Sequence, residues 1–227
     1  MLPISDTVQR RNLPWMTWAL VAVNGWAFWQ LATMSNRQID AALGLFALVP
    51  AAPRPEAWLT HMFLHGGLAH LVGNLWTLWL FGDNVEDRLG PLRYLGFYLL
   101  CGLAAAGVHV YTNSGSTVPV IGASGAIAGV MGAYLVMFPR ARLVVMLPPF
   151  VWWLFELPAV IYLVLWFWLQ VVQGTAALGD EVTGGVAWWA HVGGFVAGIV
   201  LLPLFVRRDR WSRADPGYRP ARRAGRA

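Results

Sequence analysis

A chain of 227 residues that is 58% hydrophobic and only 12% charged, with mean hydropathy +0.55, cannot stay dispersed in water as one soluble domain. Its net charge of +5 does not mark a nucleic-acid binder, because eight of the sixteen basic residues, all arginine, follow Val206 as a tail. The single cysteine, Cys101, excludes an intrachain disulfide and a cysteine metal cage, and is expected to be a packing residue.

In chain order, residues 1–14 form a cytoplasmic segment holding Arg10 and Arg11. The apolar run Leu13–Met34 is too long for a signal-peptide core and lacks a small-residue cleavage site, so it is expected to be an uncleaved first span over 15–34. The outer segment Ser35–Gly67 is long for a compact bundle; its apolar stretches Ala41–Ala52 and Trp58–Leu64 are too short to cross and predict short interfacial helices. A second span over 69–82 starts near Leu68 and runs on through the polar turn Gly82–Gly90. There Asp83, Glu86, Asp87 and Arg88 are expected to form a solvated helix end paired with Arg93 or Arg140. Further spans are predicted over 93–111, 119–138, 152–173 and 186–206, with Glu156 the only acid inside one. Gly174–Gly185 reads as a mobile cap, and 207–227 as an Arg-rich cytoplasmic tail.

The sum is an all-α membrane protein, a six-helix bundle over 15–206 with its indoles serving interfacial belts and lipid as its surroundings. Arg10, Arg11, Arg88, Arg93, Arg140, Arg142 and the tail arginines fall on one side, and only Arg37 and Arg54 on the other. That asymmetry predicts both termini in the cytoplasm, with a bacterial inner membrane as the setting.

Spans two, four and six all run inward, and each carries polar groups near its outer end. His70 and Asn74 lie four residues apart on one helical face. Ser124 is expected roughly 7 Å and His191 roughly 9 Å below the outer edge, at about 1.5 Å per residue. Polar groups in hydrocarbon are costly unless paired or facing a wet cavity, so a shared depth predicts a shared cavity. Gly122–Ala126, Gly129 and Gly132 on one helix, with Gly193, Gly194 and Gly198 on another, let two backbones touch and bring Ser124 to His191. A serine hydroxyl is a weak nucleophile that needs such a base. With no carboxylate at that level, the pair is expected to act as a dyad.

Three stretches resemble the rhomboid family in order and spacing, over about Trp58 to Leu204. They are His61-Met-Phe-Leu-His65-Gly-Gly-Leu-Ala-His70-Leu-Val-Gly-Asn74, Gly122-Ala-Ser124-Gly125, and Ala190-His191-Val-Gly-Gly194-Phe-Val-Ala-Gly198. The resemblance implies a six-helix bundle with an outward-open hydrophilic cavity. It also implies an intramembrane serine endopeptidase that cuts transmembrane segments of other membrane proteins and needs no cofactor or metal. It places the nucleophile on Ser124, the general base on His191, and the oxyanion donors on the Ser124 N–H and the side chains of His70 and Asn74. Where many family members carry an aromatic ring one turn after the serine, this chain has Ala128, so an outer-loop aromatic is expected to hold His191. The family's Trp-Arg pair in the first outer loop is also imperfect, since Leu59 follows Trp58 and Arg54 precedes it.

Blander readings compete. Ser124 alone would pass for a packing residue bonded to a backbone carbonyl. His61 and His65 fit structural hydrogen bonds better than metal ligands, because no Asp or Glu accompanies them. His109 reads as interfacial. The alternative function is a catalytically inactive rhomboid-like binder of membrane helices. A transporter would instead need ionisable groups continuing across the midplane, which spans two, four and six lack before their inner ends.

Overall fold

The computed structural model describes residues 1–147, 150–177 and 186–206. Its elements are β1 (Leu2–Asp6), α1 (Trp15–Ala32), α2 (Asn36–Phe46), α3 (Ala57–Thr60), α4 (Leu68–Leu89), α5 (Pro91–Thr112), α6 (Ser124–Met137), β2 (Arg142–Leu147), β3 (Phe150–Pro158), α7 (Ala159–Ala176) and α8 (Trp188–Phe205). One 3-10 turn, His61–Phe63, follows α3. Short helices are present between the first two spans as α2, α3 and this turn, with α2 starting at Asn36, ahead of the apolar stretch Ala41–Ala52.

The helices form a bundle around α6, which is buried along most of its length by α4, α5 and α8. Phe81, Tyr94, Phe97, Tyr98 and Tyr134 fill the core, and in an apolar surrounding it is the close packing of such rings that favours the bundle. The outward faces of α1 and α7 instead expose Trp26, Trp29, Ile161, Val164, Trp168 and Leu169, as apolar helices do when lipid is the solvent. The helices α5, α7 and α8 are long and apolar enough to cross a membrane, and α6 is a shorter apolar helix. The chain is an integral membrane protein.

The expectation of an all-α chain is corrected by a three-stranded antiparallel sheet of order β1-β2-β3. Leu143–Leu147 and Val151–Leu157 are rich in β-branched and aromatic residues and flank Pro148-Pro149, a hairpin signal hidden inside a hydropathy reading. Two further corrections follow. The fifth helix begins at Ala159, not near 152, and Glu156 sits on β3, where its carboxylate meets Arg142 at 3.3 Å. Within residues 1–14, β1 pairs with β2 and Pro3 accepts the Trp76 indole N–H at 2.7 Å.

The acidic end of α4 also differs from the solvated end expected. Glu86 is buried and accepts the backbone N–H groups of Met16 and Thr17 (2.9 and 2.8 Å) and the Thr17 hydroxyl (2.8 Å). It thereby caps α1, whose first amides lack intrahelical acceptors. Asp83 accepts from Arg10 and Asp87 from the Asn12 backbone N–H, so these acids engage the amino-terminal segment. Gly90, at φ +83°, closes α4 in a conformation that glycine tolerates, and Pro91 opens α5 directly after it.

Of the cap expected at Gly174–Gly185, residues 178–185 lie outside the described residues, as does the tail 207–227. Within α7, Gly174 packs against Trp188 and Trp189 and accepts the Trp189 indole N–H at 3.1 Å.

Candidate active site

The helix α6, expected as the fourth span, starts later than hydropathy suggested: residues 119–123 precede it and Ser124 is its first residue. Val120 bridges to Leu48, and Gly122 donates its N–H to the His61 carbonyl at 2.9 Å, so this entry strand is tied to the outer segment. Gly122 has φ +127°, where a side chain is strained. A Cβ there would also lie 2.8 Å from His70 Nε2 and 3.6 Å from Asn74 Nδ2. The glycine before the serine thus serves both the turn and the approach of α4. Its consequence is that Ser124 heads a helix, with its amide among the first, unpaired N–H groups and at the positive end of the helix dipole.

α8 delivers His191 to the same place. The α6–α8 contact is made backbone to backbone: a Cβ on Gly194 would run into the Gly125 carbonyl, one on Gly198 into that of Gly129, and one on Gly132 into that of Phe195. This close approach leaves His191 Nε2 2.8 Å from Ser124 Oγ, in hydrogen-bond contact. Ser124 and His191 are both partly buried.

His70 and Asn74 project from the first turns of α4 toward Gly122, two residues before the serine. Asn74 is buried and its amide lies 2.9 Å from His65 Nε2, with the amide N–H donating. The His65 and His70 rings pack edge to face with centroids 5.0 Å apart. Burial, with His70 nearby, pushes the His65 imidazole down to about 4, so it stays neutral and able to accept from Asn74. His61 donates Nδ1–H to the Ala57 carbonyl at 2.8 Å. The two histidines therefore make the structural hydrogen bonds expected of them. Among the described residues no group of three or more His, Cys, Asp or Glu could hold a metal ion. His109, near the end of α5, has its ring nitrogen 3.4 Å from the Asn113 amide. Cys101 is buried against Gly129.

Two residues in contact with His191 escaped the sequence reading, and both come from α7. Gln170 Oε1 accepts the His191 Nδ1–H at 2.7 Å, and the Trp166 ring lies beside the imidazole with centroids 5.8 Å apart. Trp188 approaches edge-on at 6.2 Å. The aromatic support that Ala128 cannot give thus comes from α7 and the start of α8, not from the outer loop. A signal was available: Trp166 and Gln170 are spaced i,i+4 on one face, and an amide within an apolar span demands a partner.

Residues 54–208 match the model of the Rhomboid domain. The chain belongs to the rhomboid family. It is 30% identical over 169 residues to RHOMBOID-like protein 5 of Arabidopsis thaliana, covering 73% of this chain and 49% of that protein. It is 42% identical over 82 residues to the Rhomboid protease GluP of Bacillus subtilis, 35% of this chain and 16% of that protein. With the human mitochondrial presenilin-associated rhomboid-like protein it shares 27% over 149 residues, 62% of this chain and 35% of that protein. The chain spans about half or less of the length of these relatives.

Proposed function

We propose that this rhomboid-family protein is an intramembrane serine endopeptidase that cleaves transmembrane segments of other membrane proteins, with Ser124 as nucleophile and His191 as base. The observation that carries the reading is the 2.8 Å hydrogen bond from Ser124 Oγ to His191 Nε2, made between two helices inside an apolar bundle. A packing serine would bond its own backbone instead.

In the proposed reaction His191 Nε2 takes the hydroxyl proton as Oγ attacks a scissile carbonyl. The oxyanion that forms accepts hydrogen bonds from the Ser124 N–H at the head of α6 and from the His70 and Asn74 side chains. His191 then protonates the leaving amine, and water releases the acyl group by the same route in reverse. A substrate helix protects its backbone with its own hydrogen bonds, so local unwinding precedes attack, and Gly, Ser or Pro near the substrate's outer boundary favours it.

The reading includes six spans formed by α1, α4, α5, α6, α7 and α8. It also includes a hydrophilic cavity opening outward at the Ser124 end, both termini in the cytoplasm, and a bacterial inner membrane as the setting. The arginine asymmetry supports that orientation.

The test is labelling of the detergent-purified protein by a fluorophosphonate probe, with cleavage of a single-span reporter beside it. Ser124→Ala abolishes both, and His191→Ala slows both by at least about 10³-fold. Labelling that survives Ser124→Ala refutes the nucleophile, and a wild type that never labels leaves the inactive binder as the better reading.

A further inference from the structure

Resting on that reading, we propose that Gln170 is a positioning residue for His191: its amide selects the imidazole tautomer and fixes the ring so that the Nε2 lone pair faces Ser124. The proposed dyad would thus be backed by a neutral third residue that takes no proton.

The argument is one of donors and acceptors. Gln170 is buried on α7 at 6% exposure, so its amide must find partners within the protein. Its Nε2 lies 3.2 Å from the Trp166 carbonyl, which can only accept, so that end of the amide is the nitrogen. Oε1 is then the atom 2.7 Å from His191 Nδ1, and since Oε1 can only accept, Nδ1 carries the proton. A neutral imidazole protonated at Nδ1 has its lone pair at Nε2, the atom 2.8 Å from Ser124 Oγ. Every proton in the chain from the Trp166 carbonyl to Ser124 is thereby assigned by one fixed carbonyl.

When His191 takes the serine proton, the Gln170 oxygen remains as the acceptor for Nδ1–H and faces the positive charge with its dipole. It does so without a carboxylate, whose burial in an apolar bundle would be costly. Trp166 fixes the plane of the ring from the same helix face, one turn earlier. Among the described residues, the other titratable groups close enough to act on His191 are His70 and His109, and neither bonds its ring nitrogens.

The experiment compares Gln170→Met with Gln170→Glu. Methionine conserves volume and cannot accept the Nδ1 proton, whereas glutamate keeps an acceptor oxygen in either ionisation state. A positioning role ranks Glu above Met; a packing role ranks Met above Glu. We expect Gln170→Met to lower the fluorophosphonate labelling rate and the reporter kcat by about tenfold or more with KM unchanged, at an unaltered unfolding midpoint. Gln170→Glu is expected to stay within about threefold of wild type. Wild-type rates in Gln170→Met, or equal losses in both variants, overturn the proposal. A measurement on the unmutated protein guards against misfolded variants: nitrogen-15 NMR of the His191 ring, assigned with His191→Asn, is expected to show the proton on Nδ1. A proton on Nε2 overturns it. A wild type that shows the Nδ1 tautomer yet never labels sinks the protease reading while the positioning of His191 by Gln170 stands.

Discussion

His191 is held on two sides by contacts of different kinds. Toward α6, α8 packs through glycines with backbone against backbone, and no side chain can adjust there. Toward α7 it packs through side chains: Gln170 and Trp166 on His191, and Phe167 on Phe195 with ring centroids 4.9 Å apart. α7 leaves its other face exposed, and its amino-terminal end continues from β3. The glycine seam therefore sets the distance between hydroxyl and imidazole, while the side-chain contact sets the orientation and proton inventory of the imidazole. Distance is built into the least deformable part of the bundle, and orientation into a helix held by fewer constraints.

The sharpest way to break this division is at the seam. Gly194→Val places branched carbons against the Gly125 carbonyl, which cannot retreat. Overpacking of this kind costs about 1–3 kcal/mol or more, and the variant is expected to lose labelling entirely with a lowered unfolding midpoint in detergent. Retained labelling at wild-type rate would show that the seam does not set the distance. On the other side, Trp166→Ala is expected to slow labelling by up to about tenfold, the equivalent of an aromatic contact worth about 0.5–1.5 kcal/mol. Its midpoint should fall less than that of Gly194→Val. A larger midpoint loss than at the seam would reverse the assignment of rigid and adjustable sides.

An effect on stability alone, with none expected on labelling, concerns the sheet from which α7 rises. Asp6 on β1 accepts hydrogen bonds from Asn84 of α4 (2.8 Å) and from the Tyr134 hydroxyl of α6 (2.6 Å), linking the sheet to the bundle. Burial is the main cause that pushes its carboxyl from 3.8 up to about 7, with nearby Asp83 adding to it and the Tyr134 bond opposing it. The folded protein thus keeps a proton that the unfolded chain releases. The contribution of Asp6 to stability is full below about pH 4 and is lost as pH rises to about 7. Relative to Asp6→Asn, the wild-type midpoint should fall across that window by about 2–4 °C for each 1 kcal/mol lost. Parallel curves for the two proteins would show that Asp6 titrates no differently in the fold.

Much of this was legible before the structure. The positions of α1, α4, α5 and α8 and the presence of short helices before α4 follow from apolar run lengths, and the order of the three motifs was read from the family resemblance. The meeting of Ser124 and His191 also followed, because small residues at four-residue spacing on two helices leave few other ways to pack. The sheet did not, because an apolar β-hairpin beside an apolar helix looks like one long span to any measure of hydropathy. Glu86 was read as solvated for a related reason: its partners are the unpaired amides at the start of α1, which hydropathy and charge do not reveal.

The sequence by itself determined which polar residues stand out and that they share one end of a membrane bundle, since polar groups in an apolar chain declare themselves by their cost. Only the tertiary structure decided how His191 is oriented, because Gln170 and Trp166 reach it from a helix with no matching motif. Their effect lies in the direction of one amide and the tilt of one ring, which exist only once the helices are packed.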